Sequence, residues 1–415
     1  MDILLATLGS AGDVHPIVGL AIALKERGHK VKIIASPYFK SLIESVGVEF
    51  IALGSLEQYL SVLENPEMWN PKKGINVLAQ DCVLPMIRPL YDIITSHDPN
   101  KTIVAATSLC LGARLAQEKH KFPLATIHLQ PSVIRSIYRT PLLPLVKLPK
   151  RLPPIIVKLL YGAIDFFLLD KIFGPALNDF RKELGLSKIN HILGHWMNSP
   201  EKVIGLFPEW LATPQRDWPK NTELTGFIHF DGAREKEQLT DEMASFLGEK
   251  EQTLVFTAGT AMKHAKDFFQ ASVQATLKLG KRALLLTKYA SQLPDKLPTT
   301  IKHVEYIPFS IVLGKIGAFV HHGGIGTCGE ALSAGVPQLI IPKGYDQPDN
   351  AARLENLGVA SVIHPENYNA ETASEKLSFL LNSARVSEQC QIIQKKVDFT
   401  KALNATCEAL ERLAR

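Results

Sequence analysis

Four glycines, Gly323, Gly324, Gly326 and Gly329, follow the pair His321–His322 and lead into a helical pattern. Such a turn can hold an anion. Glycine lets the backbone approach a phosphate closely, and the free N–H groups of a helix N-terminus converge there with the positive end of its dipole. The expected ligand is a nucleoside diphosphate. Gly324-x-Gly326-x-x-Gly329 also satisfies G-x-G-x-x-G, with an acid, Asp346, further on, which admits NAD as a ligand. That fingerprint normally follows the first strand of its domain, and its acid ends the second strand. Here the motif follows a fourth strand, and Asp346 lies in a loop beyond Pro342. An NAD-dependent oxidoreductase is therefore the alternative and not the first reading.

The elements that position this turn read as a strand over Ala318–His321, a helix over Thr327–Ala334 stopped by Gly335, and a strand over Gln338–Pro342, with Asp346 and Gln347 in the next loop. They belong to a series that begins at Thr253. Its other strands are expected at Thr253–Thr257, Arg282–Thr287, Val304–Ile307 and Val359–Ile363, with helices between them such as Asp267–Leu279. An earlier series opens the chain. Asp2–Thr7 is a short apolar run, the loop LGSAGDVHP is bracketed by Gly9 and Gly12, and a helix with Pro16 in its first turn ends at Gly28. Lys30–Ala35, Thr102–Ala106 and Leu124–His128 follow as strands, with a helix over Leu111–Lys119. Short apolar runs alternating with helices imply α/β architecture with doubly wound parallel sheets. Pro208, Pro214 and Pro219 crowd with Trp210 and Trp218 between Pro208 and Gly226, which reads as a linker. The expected domains are 1–215 and 216–395, with a helical segment at the end.

The chain has 415 residues, enough for two domains of about 200 residues. It is 46% hydrophobic and 21% charged, which excludes a disordered chain. The net charge of +5 suits a phosphate-bearing ligand or an anionic membrane surface, and equally suits ordinary charge scatter. No Lys/Arg run suggests nucleic acid. Five cysteines with no CxxC pair argue for a reducing, cytoplasmic compartment and against a metal knuckle. No charged segment precedes the first strand, so no signal peptide is expected. Residues 140–177 mix prolines, basic residues and long apolar runs. They are too interrupted to span a bilayer. They read either as a surface element touching a membrane or a greasy acceptor, or as a helix pair in the core.

The segment HHGGIGTCGEALSAGVP…DQPDNAARLENLG resembles the donor-sugar signature of the family 1, GT-B fold glycosyltransferases. LGSAGDVHPIVGLAIALKERGHKV resembles the opening of the same group. The similarity is greatest to bacterial enzymes like the rhamnosyltransferase subunit of rhamnolipid synthesis, then to sterol and macrolide glycosyltransferases. GARLAQEKHKFPLATIHLQPS and FPEWLATPQRDWP carry it through the middle of the chain. The resemblance implies two Rossmann-like domains facing across a cleft. The N-terminal one would bind acceptor and the C-terminal one nucleotide-sugar, with the last helix, 396–415, crossing back to the first domain.

Site roles follow from the resemblance residue by residue. His322 matches the histidine on the diphosphate, and an imidazole N–H can donate to a phosphate oxygen; a core histidine is the alternative. Gly324, Gly326 and Thr327 would offer N–H groups and a hydroxyl to the same phosphates. Glu330 matches the residue on the ribose hydroxyls, and Asp346 and Gln347 the pair that reads the sugar. Gly259 and Thr260 match a second phosphate turn, or form a plain turn. Tyr306 stands where many relatives stack Trp on the base; a core aromatic is equally consistent. Two groups could take the acceptor proton, Asp13 and His15 in GDVHP. Asp13, expected two residues ahead of the helix, matches the subset that carries Asp there, whereas His15 has the more suitable ordinary pKa. The strand end AATSLC, with Thr107 and Ser108, lacks the Asp that partners a catalytic His in other relatives.

The expectation is an inverting, metal-independent hexosyltransferase. It would move sugar from a UDP- or dTDP-linked donor to a hydroxyl of a lipophilic acceptor in the cytoplasm or at the inner face of a membrane. Besides the oxidoreductase, a nucleotide-sugar epimerase and a non-catalytic sugar-nucleotide-binding subunit remain open.

Overall fold

The computed structural model describes residues 1–142, 152–230, 232, 239–248, 253–260 and 262–414. The chain forms two compact units. The first is Met1–Ile228 with Phe399–Arg415; the second is His229–Asp398.

Among the described residues, seven strands make the first unit's sheet: β1 (Asp2–Ala6), β2 (Lys30–Ala35), β3 (Glu49–Ala52), β4 (Thr102–Thr107), β5 (Leu124–His128), β6 (Lys202–Gly205) and β7 (Thr222–Leu224), in spatial order 3-2-1-4-5-6-7. Every pairing is parallel, with Ala6 opposite Ala106 where β1 meets β4. All residues of β4 and β5 are buried, as a sheet covered on both faces requires. The second unit's sheet contains β8 (Thr253–Thr257), β9 (Arg282–Leu286), β10 (Ile301–Val304), β11 (Ala318–His321), β12 (Gln338–Ile340) and β13 (Ala360–Val362), in order 10-9-8-11-12-13, again parallel. Both sheets reverse strand order beside their first strand, between β1 and β4 and between β8 and β11. Open parallel sheets bind ligands outside the carboxyl ends of their strands at that reversal.

Several sequence expectations are corrected. The Pro-rich stretch is not a linker: Leu211, Ala212 and Trp218 are buried and β7 adds a strand to the first sheet. The first unit thus runs to Ile228 and not to residue 215. Helix Phe399–Glu411 completes it, because Glu411 accepts from Arg27 Nη1 at 3.0 Å and Arg412 donates to Glu223 on β7 at 2.8 Å. A second helix, Ala384–Gln394, precedes it in the second unit, so the terminal helical pattern is two helices. β10 lies at Ile301–Val304, ahead of the expected Val304–Ile307: Ile301 is buried, whereas Glu305 and Tyr306 are exposed. The first helix begins at Ala11, so Pro16 lies in its second turn and Asp13 is its third residue and not ahead of it. The helix after β11 begins at Ile325 and ends at Ser333, with Gly324 as its N-cap.

Residues 143–151 of the apolar middle stretch lie outside the described residues. The remainder forms helix Pro154–Ile164, a wider π-helical turn Asp165–Leu169 and helix Asp170–Glu183. Val157, Tyr161, Asp165 and Leu169 point inward, and Asp165 bonds Arg135 Nη1 at 2.6 Å and His191 at 3.1 Å. The outer face carries Ile155, Leu159, Phe166 and Phe167, the last three 65–68% exposed. No helix among the described residues is long and apolar enough to cross a membrane.

Candidate active site

In the second unit, two turns meet at the strand reversal. After β8 the chain turns at Gly259, whose φ of +94° favours glycine. After β11 it passes His322, Gly323 (φ +91°) and Gly324 into helix Ile325–Ser333. The His322 ring fills the space between the turns. A Cβ on Gly259 would come within 2.7 Å of its Cε1, and one on Gly324 within 2.6 Å of its Nε2. His322 Nδ1 is buried and has no hydrogen-bond partner among the described residues. Burial pushes the imidazole down to about 4, so at neutral pH it carries one N–H donor and no charge. An unpartnered polar nitrogen at a helix N-terminus with no side-chain cap is arranged to receive an anion.

The turn itself is braced from beneath by two residues that sequence reasoning missed. His321 is fully buried. Its Nδ1 accepts from Gly323 N–H at 3.0 Å, and its Nε2–H donates to Gln338 Oε1 at 3.0 Å. Burial, and next the neighbouring His322, push its pKa down to about 3, which keeps it neutral as this pattern needs. Asn350, also buried, donates from Nδ2 to Gly323 O at 3.0 Å and to Asp346 Oδ2 at 2.6 Å. Both ends of the Gly323 peptide are thus fixed. Asn350 stands four residues after Asp346 on one helix, a spacing visible in the sequence.

The remaining donor-site candidates lie around this turn. Thr327 is half-buried in the first turn of the helix, and Gly326 beside it is exposed. Glu330, one turn on, has its Oε1 2.5 Å from His229 Nδ1, a partner about a hundred residues away that sequence reasoning did not supply. Gln347 is buried, and its Oε1 accepts from the N–H groups of Lys343 (2.7 Å) and Gly344 (3.2 Å), bonds that leave its NH2 uninvolved. Thr260 is exposed beside Gly259. Tyr306 is 54% exposed in the loop after β10, which removes the core-aromatic alternative. Among the described residues no group of three or more His, Cys, Asp or Glu side chains is placed to hold a metal ion.

In the first unit, Asp13 lies in the first turn of helix Ala11–Glu26, just after β1. Its Oδ2 accepts from Ser10 N–H at 2.8 Å and Ser10 Oγ at 3.3 Å. The carboxylate lies over Gly9, where a Cβ would collide with it. Burial raises its pKa to about 6, against the pull of the two Ser10 hydrogen bonds. His15 is half-buried two residues further along the helix, and residues two apart do not share a helix face. The end of β4 adjoins this turn, with Thr107 Oγ1 accepting from Leu8 N–H at 3.4 Å. Ser108 Oγ lies 2.7 Å from His128 Nδ1, and His128 Nε2 lies 2.7 Å from Asn198 Oδ1.

Known proteins resemble both parts of the chain. Residues 3–139 match the glycosyltransferase family 28 N-terminal domain, and residues 283–398 match the erythromycin biosynthesis protein CIII-like C-terminal domain. A sterol 3-beta-glucosyltransferase of Saccharomyces cerevisiae (strain YJM789) is 26% identical over 98% of this chain, which spans 34% of that longer protein. An O-mycaminosyltylonolide 6-deoxyallosyltransferase of Streptomyces fradiae is 26% identical, covering 100% of this chain and 98% of its own length. The crystal structure of the glycosyltransferase VinC in complex with dTDP superposes with a TM-score of 0.67 at 19% identity, covering 100% of this chain and 99% of that one.

Proposed function

This chain is a family 1 glycosyltransferase of the GT-B fold, and we propose that it moves a hexose from a UDP- or dTDP-linked donor to a hydroxyl of a lipophilic acceptor with inversion at the anomeric carbon. The observation that carries the donor half is the His322 ring, held between Gly259 and Gly324 with an unpartnered Nδ1 at an uncapped helix N-terminus. The diphosphate sits there, Glu330 takes the ribose in place of His229, Tyr306 meets the base, and Asp346 with Gln347 reads the sugar. Thr260 contributes from the second turn.

Asp13 is the base. At about 6, its pKa leaves it ionised at neutral pH yet more basic than an ordinary carboxylate. It takes the acceptor proton as the acceptor oxygen bonds to the anomeric carbon. The bond from that carbon to the phosphate oxygen breaks, and the nucleoside diphosphate leaves with the electron pair. His322, Thr327 and the helix N-terminus hold the charge that develops, which dispenses with a divalent ion. His15, turned to another face, does not share this task.

Sterol and tylonolide appear in the names of the relatives, and both are greasy. A greasy acceptor fits the exposed Leu159, Phe166 and Phe167, whose helical segment keeps its acid, Asp165, inside. Flanked by Lys158 and Lys171, this face reads as a peripheral contact with the inner, anionic surface of a membrane.

The test is thermal stabilisation by UDP, dTDP, GDP and NAD, since ligand at about 100 times its dissociation constant adds about 2.7 kcal/mol. Stabilisation by UDP or dTDP is expected. Stabilisation by NAD alone would restore the oxidoreductase. Donor consumed without acceptor would mean an epimerase, and binding without turnover on sterol and hydroxy-fatty-acid acceptors a binding subunit. The anomeric proton coupling of the product decides inversion.

A further inference from the structure

The mechanism so far leaves one fully buried histidine of the first unit unused. His128 ends β5, and both of its ring nitrogens are engaged at 2.7 Å. The direction of these bonds can be worked out. Asn198 Nδ2 donates to His195 O at 3.3 Å, so Asn198 Oδ1 faces His128 and must accept from Nε2–H. Burial keeps the ring neutral, with its pKa pushed down to about 4, so Nδ1 carries no proton and accepts from the Ser108 hydroxyl. Ser108 is half-exposed, at the end of β4 beside the turn that carries Asp13. With its proton drawn inward, its oxygen can present only lone pairs to whatever binds there.

We infer that Asn198, His128 and Ser108 form a relay that fixes Ser108 Oγ as a hydrogen-bond acceptor for a second O–H group of the acceptor substrate, next to the hydroxyl that gives its proton to the base. The inference rests on the reading that acceptor binds to the first unit. Ser108 is a positioning residue and takes no proton. It selects acceptors that bring a hydrogen-bond donor and disfavours those that bring only an acceptor, such as an ether or ketone, because two lone pairs would then face each other.

Two measurements test this. In 15N-histidine NMR of the whole protein, His128, assigned through its shift in Ser108→Ala, should be the neutral Nε2–H form throughout pH 5.5–8. An Nδ1–H form would reverse the relay and overturn the inference, and this arm needs no substrate, so it stands apart from any failure of the transfer reading. In kinetics with the better substrate of the vicinal diols 4β-hydroxycholesterol and 1,2-decanediol, each of which keeps a second O–H beside the attacking one, Ser108→Ala should raise the acceptor KM about tenfold, the loss of roughly one hydrogen bond. Donor KM, Tm and the slow hydrolysis of donor by water should not change, and Ser108→Thr should restore much of the loss. An acceptor KM within twofold of the parent, or a parallel fall in Tm and hydrolysis, would reduce the cluster to packing.

Discussion

After β1 the chain passes through Gly9 and Ser10 into helix Ala11–Glu26; after β11 it passes through Gly323 and Gly324 into helix Ile325–Ser333. Each turn stands at the strand reversal of its own sheet, and each brings a helix N-terminus to that edge. They differ at the third helical residue. In the first unit this is Asp13, whose carboxylate folds back onto Ser10 N–H and answers the helix N-terminus from within the chain. In the second unit the same position is Thr327, and among the described residues no side chain caps the helix. The first turn has supplied its own anion, a carboxylate whose pKa burial raises to about 6. The second has left the anion's place to a ligand. In the proposed mechanism the same backbone device serves proton transfer in one unit and leaving-group binding in the other, and the pair Ser10 and Asp13 against Gly324 and Thr327 makes the difference.

The largest expected effect removes the internal anion. Asp13→Asn should lower kcat for transfer by about 10²–10⁴-fold, the range for a general base, with nucleotide affinity unchanged by calorimetry. Retained turnover would pass the role to another group. Next, Thr327→Asp should make the second turn resemble the first. The new carboxylate would take the helix N-terminus and repel the diphosphate, weakening UDP or dTDP binding by about 100-fold, or roughly 2.7 kcal/mol. Unaltered affinity would show that the turn does not hold the phosphates. His322→Ala and Gly324→Ala should each weaken nucleotide binding by about tenfold or more, one by deleting the donor and the other by driving a Cβ into the ring.

A smaller, graded effect should appear with pH. The base works ionised, so transfer kcat/KM should fall about tenfold per unit below the Asp13 pKa of about 6. Affinity for an intact nucleotide-sugar should stay nearly flat from pH 5.5 to 8, because its diphosphate diester does not titrate there and His322 remains neutral above about 4. A shared pH profile would break the distinction between the two turns. The smallest effect is none: dialysis against EDTA should leave turnover unchanged, and a metal requirement would give the leaving group's charge to an ion.

Much of this was legible in the chain because the underlying signals are local. A strand buried on both faces must be a short apolar run, and β2, β5, β8 and β11 fall where such runs predict. Strands with half-exposed or very short runs gave no such signal. β3 (Glu49–Ala52) and β7 (Thr222–Leu224) have no fully buried residue, and only pairing with a neighbour makes them strands. The prolines around Trp218 suggested a linker for the same reason, since local propensity cannot register the sheet edge and the terminal helix that bury this segment. Likewise a strand expected at Val304–Ile307 is placed three residues earlier by pairing with β9.

The sequence by itself determined the chemistry available: the glycines of the second unit's turn with His322 and Thr327 beside them, Asp13 after the first strand, and two α/β series to carry them. Tertiary structure decided which groups remain available. Contacts between segments far apart in sequence put Glu330 on His229, Gln347 Oε1 into its own loop, Asn350 under the Gly323 peptide and His128 between Ser108 and Asn198. Burial then moved Asp13 up and His322 down from their ordinary pKa values. A side chain's type is fixed by the chain, but its free valences and its charge depend on desolvation and on partners, and only the folded molecule supplies those.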